Sequence, residues 1–135
     1  MIRVVVVDDH PTVRFSIARM LSKQNDIDVV GEGADGKEAL HLVKQEQPDI
    51  LVLDIEMPVM NGIEVAESMS QQASPTKIII LSNYTDRSLV EELFALGACG
   101  YVVKDDAPGH LINAVHEVHD NGTMWLSPGV RNSLR

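Results

Sequence analysis

Residues 49–62 read DILVLDIEMPVMNG. The run Ile50-Leu51-Val52-Leu53 is short and rich in Leu, Ile and Val, which suits a strand buried on both faces of a parallel sheet. It drives directly into a carboxylate, Asp54. A carboxylate is costly to bury, so Asp54 is expected where the strand emerges at its C-terminal edge. In open α/β sheets that edge is where ligands bind. Behind it, Pro58 and Asn61-Gly62 turn the chain into a new amphipathic segment carrying Ile63, Val65, Ala66 and Met69.

The same alternation runs outward in both directions. Upstream, Ile2–Val7 reads as a strand ending in Asp8-Asp9-His10, with Pro11 suited to the first turn of a helix and His10 or Asp9 near its cap. Val13, Ile17, Met20 and Leu21 follow at helical spacing, and Ile27–Val30 is a second short strand closed by Gly31 and Gly33. Asp35 and Glu38 have the spacing of a capping box for a helix through Ala39, Leu40, Leu42 and Val43, which Pro48 ends. Downstream, Lys77–Leu81 is a fourth strand running out into Ser82-Asn83, and Asp86 can cap a helix through Leu89, Val90, Leu93 and Phe94 that Gly97 stops. Gly100–Val103 is a fifth strand ending in Lys104, and Leu111, Ile112, Val115 and Val118 mark a last helix. Five strands alternating with five helices call for an α/β fold: a doubly wound parallel sheet with helices on both faces. Right-handed crossovers leave few topologies, and the flavodoxin-like order 2-1-3-4-5 is the natural one.

At 135 residues the chain is long enough for one domain with one core, and at 44% apolar and 23% charged it has a globular composition. Aromatics are only 4%, so aliphatic packing must supply the core. No apolar run reaches membrane-spanning length, and no export signal is expected at the N-terminus. A lone cysteine, Cys99, excludes an internal disulfide and fits a reducing cytoplasm. Eleven basic against twenty acidic residues give a formal charge of −9, the wrong sign for gripping nucleic-acid phosphates unaided.

Parallel strands point their C-terminal ends the same way, so their exit residues become neighbours in space. Those residues are Asp8 and Asp9, Asp54, Ser82 and Lys104. A lone strand-end Asp is usually a helix cap or a solvated turn residue; the set together is what points to chemistry. Asp9 and Asp54 with a backbone carbonyl suit a hard divalent cation, Mg²⁺, which takes oxygen ligands and keeps several waters. Lys104 supplies a mobile positive charge and Ser82 a hydroxyl donor. Such a site would let one Asp54 oxygen attack a phosphoryl group in line and form an acyl phosphate.

The segments VVVDDHP at 5–11, LVLDIEMPVMNGIEV at 51–65, IIILSNYTD at 78–86 and GACGYVVKD at 97–105 resemble a bacterial two-component response-regulator receiver domain, of the CheY-like fold. The resemblance runs from about Ile2 to Thr123. DHP after the acidic pair, LSNYTD, GACGYVVKD and the trailing LSP at 126–128 resemble the NarL/FixJ subgroup, whose members usually carry a C-terminal LuxR-type helix-turn-helix. The resemblance implies a phosphorelay role. Asp54 would be the phosphoacceptor, charged by a sensor histidine kinase. Mg²⁺ or Mn²⁺ would be held by Asp9, Asp54 and the backbone carbonyl of Glu56, with Asp8 acting through a water. Ser82 and Lys104 would hold the phosphoryl oxygens, and Ser82 with Tyr101 would form the switch pair, the ring following the hydroxyl inward. Glu56, Asn83 and Tyr84 would flank the phosphate entrance and set the lifetime of the aspartyl phosphate. The kinase is expected at the first helix, a homodimer on activation, and DNA contact only through an output domain outside this chain.

The sequence departs from many receivers where Asp105, not proline, follows Lys104, so no cis-proline is expected there. Residues 1–122 are expected to form the receiver and 123–135 the start of a linker, making the chain a fragment of a longer regulator rather than a stand-alone receiver. Two rival functions are weighed. A haloacid-dehalogenase-type phosphatase also uses a strand-end Asp, but wants a second Asp where this chain has Glu56. A receiver-like interaction module indifferent to phosphate typically loses a member of the set that is kept here. His116 and His119, three apart, could share a metal, although solvated surface histidines are far commoner.

Overall fold

A computed structural model describes residues 1–122 and 124–134. The elements alternate as the apolar runs predict: β1 (Ile2–Val7), α1 (Pro11–Ser22), β2 (Ile27–Gly33), α2 (Gly36–Glu46), β3 (Ile50–Asp54), α3 (Gly62–Gln71), β4 (Lys77–Ser82), α4 (Arg87–Ala95), β5 (Ala98–Val103) and α5 (Ala107–Asn121), with a short 3₁₀ turn at Lys104–Asp106. All strand pairs are parallel. The sheet order is β2-β1-β3-β4-β5, extended at its edge by a sixth strand, β6 (Trp125–Leu126), and followed by α6 (Pro128–Ser133).

The unbroken apolar strands make sense because each face of the sheet is covered. Val4 and Val6 of β1, Ile50 and Val52 of β3 and Ile79 and Leu81 of β4 pack against Ile17 and Leu21 of α1 and Leu111 and Val115 of α5. The alternate residues Val5, Val7, Leu51, Leu53, Ile78 and Ile80 pack against Ala39 of α2, Val65 and Met69 of α3 and Leu93 of α4. A strand residue therefore finds a helix whichever way it points, the period-two consequence of a doubly covered sheet. Each fully buried Val, Leu or Ile contributes about 1.5–3 kcal/mol, so aliphatic residues alone can hold a core with so few aromatics.

Helix starts follow local chemistry, with departures from the sequence reading. Asp35 accepts from the Glu38 amide at 2.8 Å, but Glu38 reaches back to the Ala34 amide at 2.7 Å, one residue beyond a reciprocal box. The complete capping box belongs to Asn61 and Glu64, at the same cap-plus-three spacing. His10 and Asp86 occupy cap positions without capping through their side chains. Of the two glycines expected to close β2, Gly31 lies inside it and Gly33 is its last residue. Gly97 does stop α4, at φ +103°. Lys104 leads through its 3₁₀ turn straight into α5, and no described peptide bond is cis.

The tail, expected as the start of a linker, is packed onto the sheet. The Ser127 amide donates to the Tyr101 carbonyl at 3.0 Å, while the Val103 amide donates to the Ser127 hydroxyl at 3.1 Å. Asp106 accepts from the Gly129 amide at 2.8 Å, and Val130 is fully buried beside the β4–β5 core. Two residues of strand are too few for periodicity to announce, so only the register against β5 defines β6. The expected boundary residue Thr123 and the terminal Arg135 lie outside the described residues. No described helix is long and apolar enough to cross a membrane.

Gly62 opens α3 against the strand end that carries Asp54. A Cβ there would stand 2.5 Å from the Asp54 carbonyl oxygen and 2.8 Å from the Ile55 Cα, backbone atoms that cannot swing aside. Gly62→Ala is expected to cost about 1–3 kcal/mol through overpacking, read as a lowered urea-unfolding midpoint.

Candidate functional site

Strand register assembles the rim. Val7 pairs with Leu53, Asp54 with Leu81, and Ser82 with Val103. Asp8 therefore leaves β1 level with Asp54, and Lys104 leaves β5 one step beyond Ser82. Of the residues expected at this rim, Asp8, Asp9 and Asp54 come together, with Lys104 against Asp8 and Asp54. Lys104 Nζ lies 3.1 Å from Asp8 Oδ2 and 3.4 Å from Asp54 Oδ1. Asp8 is fully buried, Asp54 is 3% exposed and Ser82 is buried with them.

Two buried carboxylates facing one ammonium leave the site short of positive charge. Burial, and then the neighbouring Asp8 charge, push Asp54 up from 3.8 to about 6 against the opposing pull of Lys104. Burial alone would lower Lys104, but its contacts with Asp8 and Asp54 outweigh that and hold it above its ordinary value. Asp54 Oδ2 is buried and has no hydrogen-bond partner among the described residues. Such an oxygen is costly unless something outside the chain satisfies it. A divalent cation fits this need. Asp8, Asp9, His10 and Asp54 each present a ligand atom, all within 4.8 Å of one another, and the donor set is mainly carboxylate oxygen, as Mg²⁺ or Mn²⁺ prefers.

Residues to which the sequence reading gave no site role hold Asp8 in place. The His10 amide donates to Asp8 Oδ1 at 2.9 Å, and Arg14 Nη1, one turn into α1, donates to the Asp8 carbonyl at 2.8 Å. The signal for Arg14 was its helical offset from the acidic pair, which puts it on the face of α1 beneath the rim. Asp9 lines an open cleft with Ile55, Glu56, Met57, Pro58 and Asn61.

On the other flank, the Ser82 hydroxyl accepts from the Tyr84 amide at 3.0 Å. The Tyr101 ring is fully buried and its hydroxyl donates to the Tyr84 carbonyl at 2.7 Å, so the aromatic member of the expected switch pair stands inward. Burial raises its phenol above the ordinary value, though the Ser82 hydroxyl opposes the shift. Glu56, Asn83 and Tyr84, expected to flank the phosphate entrance, are all exposed, and the Glu56 carboxylate holds the Tyr84 phenol up. His116 and His119 do not converge: His116 pairs with Asp26 at 2.8 Å and His119 with Asp120 at 3.1 Å. Met57 and Met60 pack against the core, as does Cys99.

Comparison with known proteins agrees with this geometry. The family profile of the response regulator receiver domain matches residues 4–116. The transcriptional regulatory protein DegU of Brevibacillus brevis is 35% identical over 133 residues, which cover 98% of this chain and 56% of that protein. The chain thus spans little more than half the length of such relatives. The signal receiver domain of the response regulator NarL from Mycobacterium tuberculosis superposes with a TM-score of 0.85 at 36% identity, covering 89% of this chain and 97% of that one. A LuxR-family two-component response regulator from Aurantimonas sp. SI85-9A1 superposes at 0.89 with 32% identity, over 96% and 92% of the two chains.

The raised Asp54 carboxyl carries a pH signature. The native state holds this proton more tightly than the unfolded chain, about 6 against 3.8. Ionising Asp54 therefore weakens the fold as pH rises through that window. In metal-free buffer Asp54→Asn is expected to be more stable than the parent by on the order of 1–3 kcal/mol above pH 7, with the difference closing below about pH 4. Urea unfolding of both proteins across this range checks it.

Proposed function

The chain belongs to the response-regulator receiver family, and on that premise we propose that Asp54 is its phosphoacceptor, charged from the phosphohistidine of a sensor kinase. The observation that carries the reading is the buried, unpartnered Asp54 Oδ2 beside Lys104 and the Asp8–Asp9 pair. It is an oxygen that no donor among the described residues ties down.

Asp9, Asp54 and the Glu56 carbonyl would hold Mg²⁺ or Mn²⁺, with Asp8 reaching it through a water. Bound there, the ion supplies positive charge against the phosphoryl oxygens. Asp54 Oδ2 attacks phosphorus in line; the bond to the donor nitrogen breaks as the new P–O bond forms, and the imidazole leaves with its electron pair. Lys104, already against Asp54, moves its charge onto a phosphoryl oxygen. Ser82 gives up its contact with the Tyr84 amide and donates to another. Because Tyr101 holds the Tyr84 carbonyl, this turn of Ser82 is felt along the same loop, which is how a local charge biases a two-state element.

The relatives are transcriptional regulators by name, and we extend that role to this chain. A charge of −9 opposes direct contact with DNA, so that contact belongs to an output domain, with a homodimer as the activated form. An ATP-fed kinase partner places the switch in the cytoplasm, where the lone Cys99 would stay reduced.

Intact mass after incubation with acetyl phosphate and Mg²⁺ tests the assignment. The parent is expected to gain one phosphoryl group, Asp54→Ala none, and chelation should abolish the gain. Failure both to be labelled by acetyl phosphate and to bind beryllofluoride would favour an interaction module, beryllofluoride binding without labelling a receiver that accepts only from its kinase, and turnover of a small phosphoester a phosphatase. Lys104→Ala is expected to slow labelling about 10- to 100-fold. Replacing Glu56, Asn83 or Tyr84 by Ala is expected to change the decay of the aspartyl phosphate by about threefold or more; unchanged decay would remove these residues from the entrance.

A further inference from the structure

His10 stands where β1 gives way to α1, at a cap position its side chain does not use. Its ring lies over the carboxylate pair instead. Nδ1 is 3.0 Å from Asp9 Oδ1 and 3.3 Å from Asp8 Oδ1. The His10 amide is bonded to Asp8 Oδ1, so the backbone beneath the ring is tied to the site. The side chain is 61% exposed and can reorient without disturbing the core.

These spacings have the scale of a coordination sphere. With metal–ligand bonds of about 2.1 Å, ligand atoms on neighbouring vertices of an octahedron stand about 3.0 Å apart and opposite ones about 4.2 Å. The Nδ1–Asp9 separation equals such an edge, and the ligand atoms of Asp8, Asp9, His10 and Asp54 lie within 4.8 Å, a little wider than the octahedral diagonal, which small side-chain rotations would close. A second observation points independently to a missing partner. Asp54 is 3% exposed, and its Oδ2 has no hydrogen-bond partner among the described residues.

We propose that His10 Nδ1 is a ligand in this cation site and tunes it toward metals that accept imidazole. Mg²⁺ holds to oxygen and gains little from a ring nitrogen; Mn²⁺ gains more, and Co²⁺ and Ni²⁺ more again. The inference rests on the reading that Asp9 and Asp54 hold a divalent ion. A hydrogen-bond clamp, in which the ring N–H donates to Asp9, is the competing role.

The experiment uses the whole chain with Mn²⁺, Co²⁺ and Mg²⁺ and needs no phosphorylation. Pulsed EPR of bound Mn²⁺ reads directly coordinated ¹⁴N, and titration calorimetry reads the affinities of the parent, His10→Ala, His10→Gln and Asp54→Asn. The parent should show nitrogen coupling that both His10 variants and Asp54→Asn lose. Co²⁺ binding should weaken about tenfold or more in both His10 variants, with Mg²⁺ changed by no more than about twofold. Mn²⁺ bound without nitrogen coupling, or His10→Gln keeping the Co²⁺ affinity, would reduce His10 to a clamp and overturn the proposal while leaving the cation site standing. Metal binding that is absent, or indifferent to Asp54→Asn, would overturn both.

Discussion

The contact of Lys104 with Asp8 and Asp54 is the constraint on which the rest of this molecule depends. Two buried carboxylates at adjacent strand ends repel each other and have lost most of their water. The ammonium of Lys104, 3.1 Å from Asp8 and 3.4 Å from Asp54, is the one positive charge set against both. One positive charge does not balance two negative ones. Burial first, and then the Asp8 charge, raise the Asp54 carboxyl, and buried oxygens of Asp8, Asp9 and Asp54 lack hydrogen-bond partners among the described residues.

Everything around these carboxylates limits how they can relax. Arg14 and the His10 amide hold Asp8 from the α1 side. Gly62, with no room for a side chain, lets the α3 start press against the Asp54 backbone. On the far side, Tyr84 is held twice, its amide to Ser82 and its carbonyl by Tyr101. Tyr101 in turn offers its own carbonyl to Ser127 of the tail. The rim and the C-terminal segment thus share a continuous set of hydrogen bonds through β5. Thr85 reinforces it from the β4–α4 loop, its hydroxyl 2.7 Å from that of Ser133 in α6.

How legible this was depended on the range of the cause. The strands were legible because burial on both faces demands uninterrupted aliphatic runs, and Ile50–Leu53 or Lys77–Leu81 fit little else. The rim was legible because a parallel sheet must gather its strand ends on one side, so Asp8, Asp54, Ser82 and Lys104 converge by topology alone. The caps were half legible: the spacing of Asp35 and Glu38 marked a helix start, but the bond back to Ala34 depended on backbone direction just before the helix. The sixth strand was not legible, since Trp125-Leu126 has neither length nor period; its place comes from Ser127 and Val130 finding partners contributed by residues more than twenty positions away.

Sequence by itself therefore determined the fold class, the natural order of the first five strands and the identity of the acidic rim, because the elements follow from hydrophobic period and the connection rules of parallel sheets leave few ways to arrange them. Tertiary structure alone decided the geometry within the rim: which carboxylate oxygen stays unpartnered, that the His10 ring lies against Asp9 rather than capping α1, and that Tyr101 stands inward on the Tyr84 carbonyl. These are choices among side-chain rotamers and partners that only packing in three dimensions can rank.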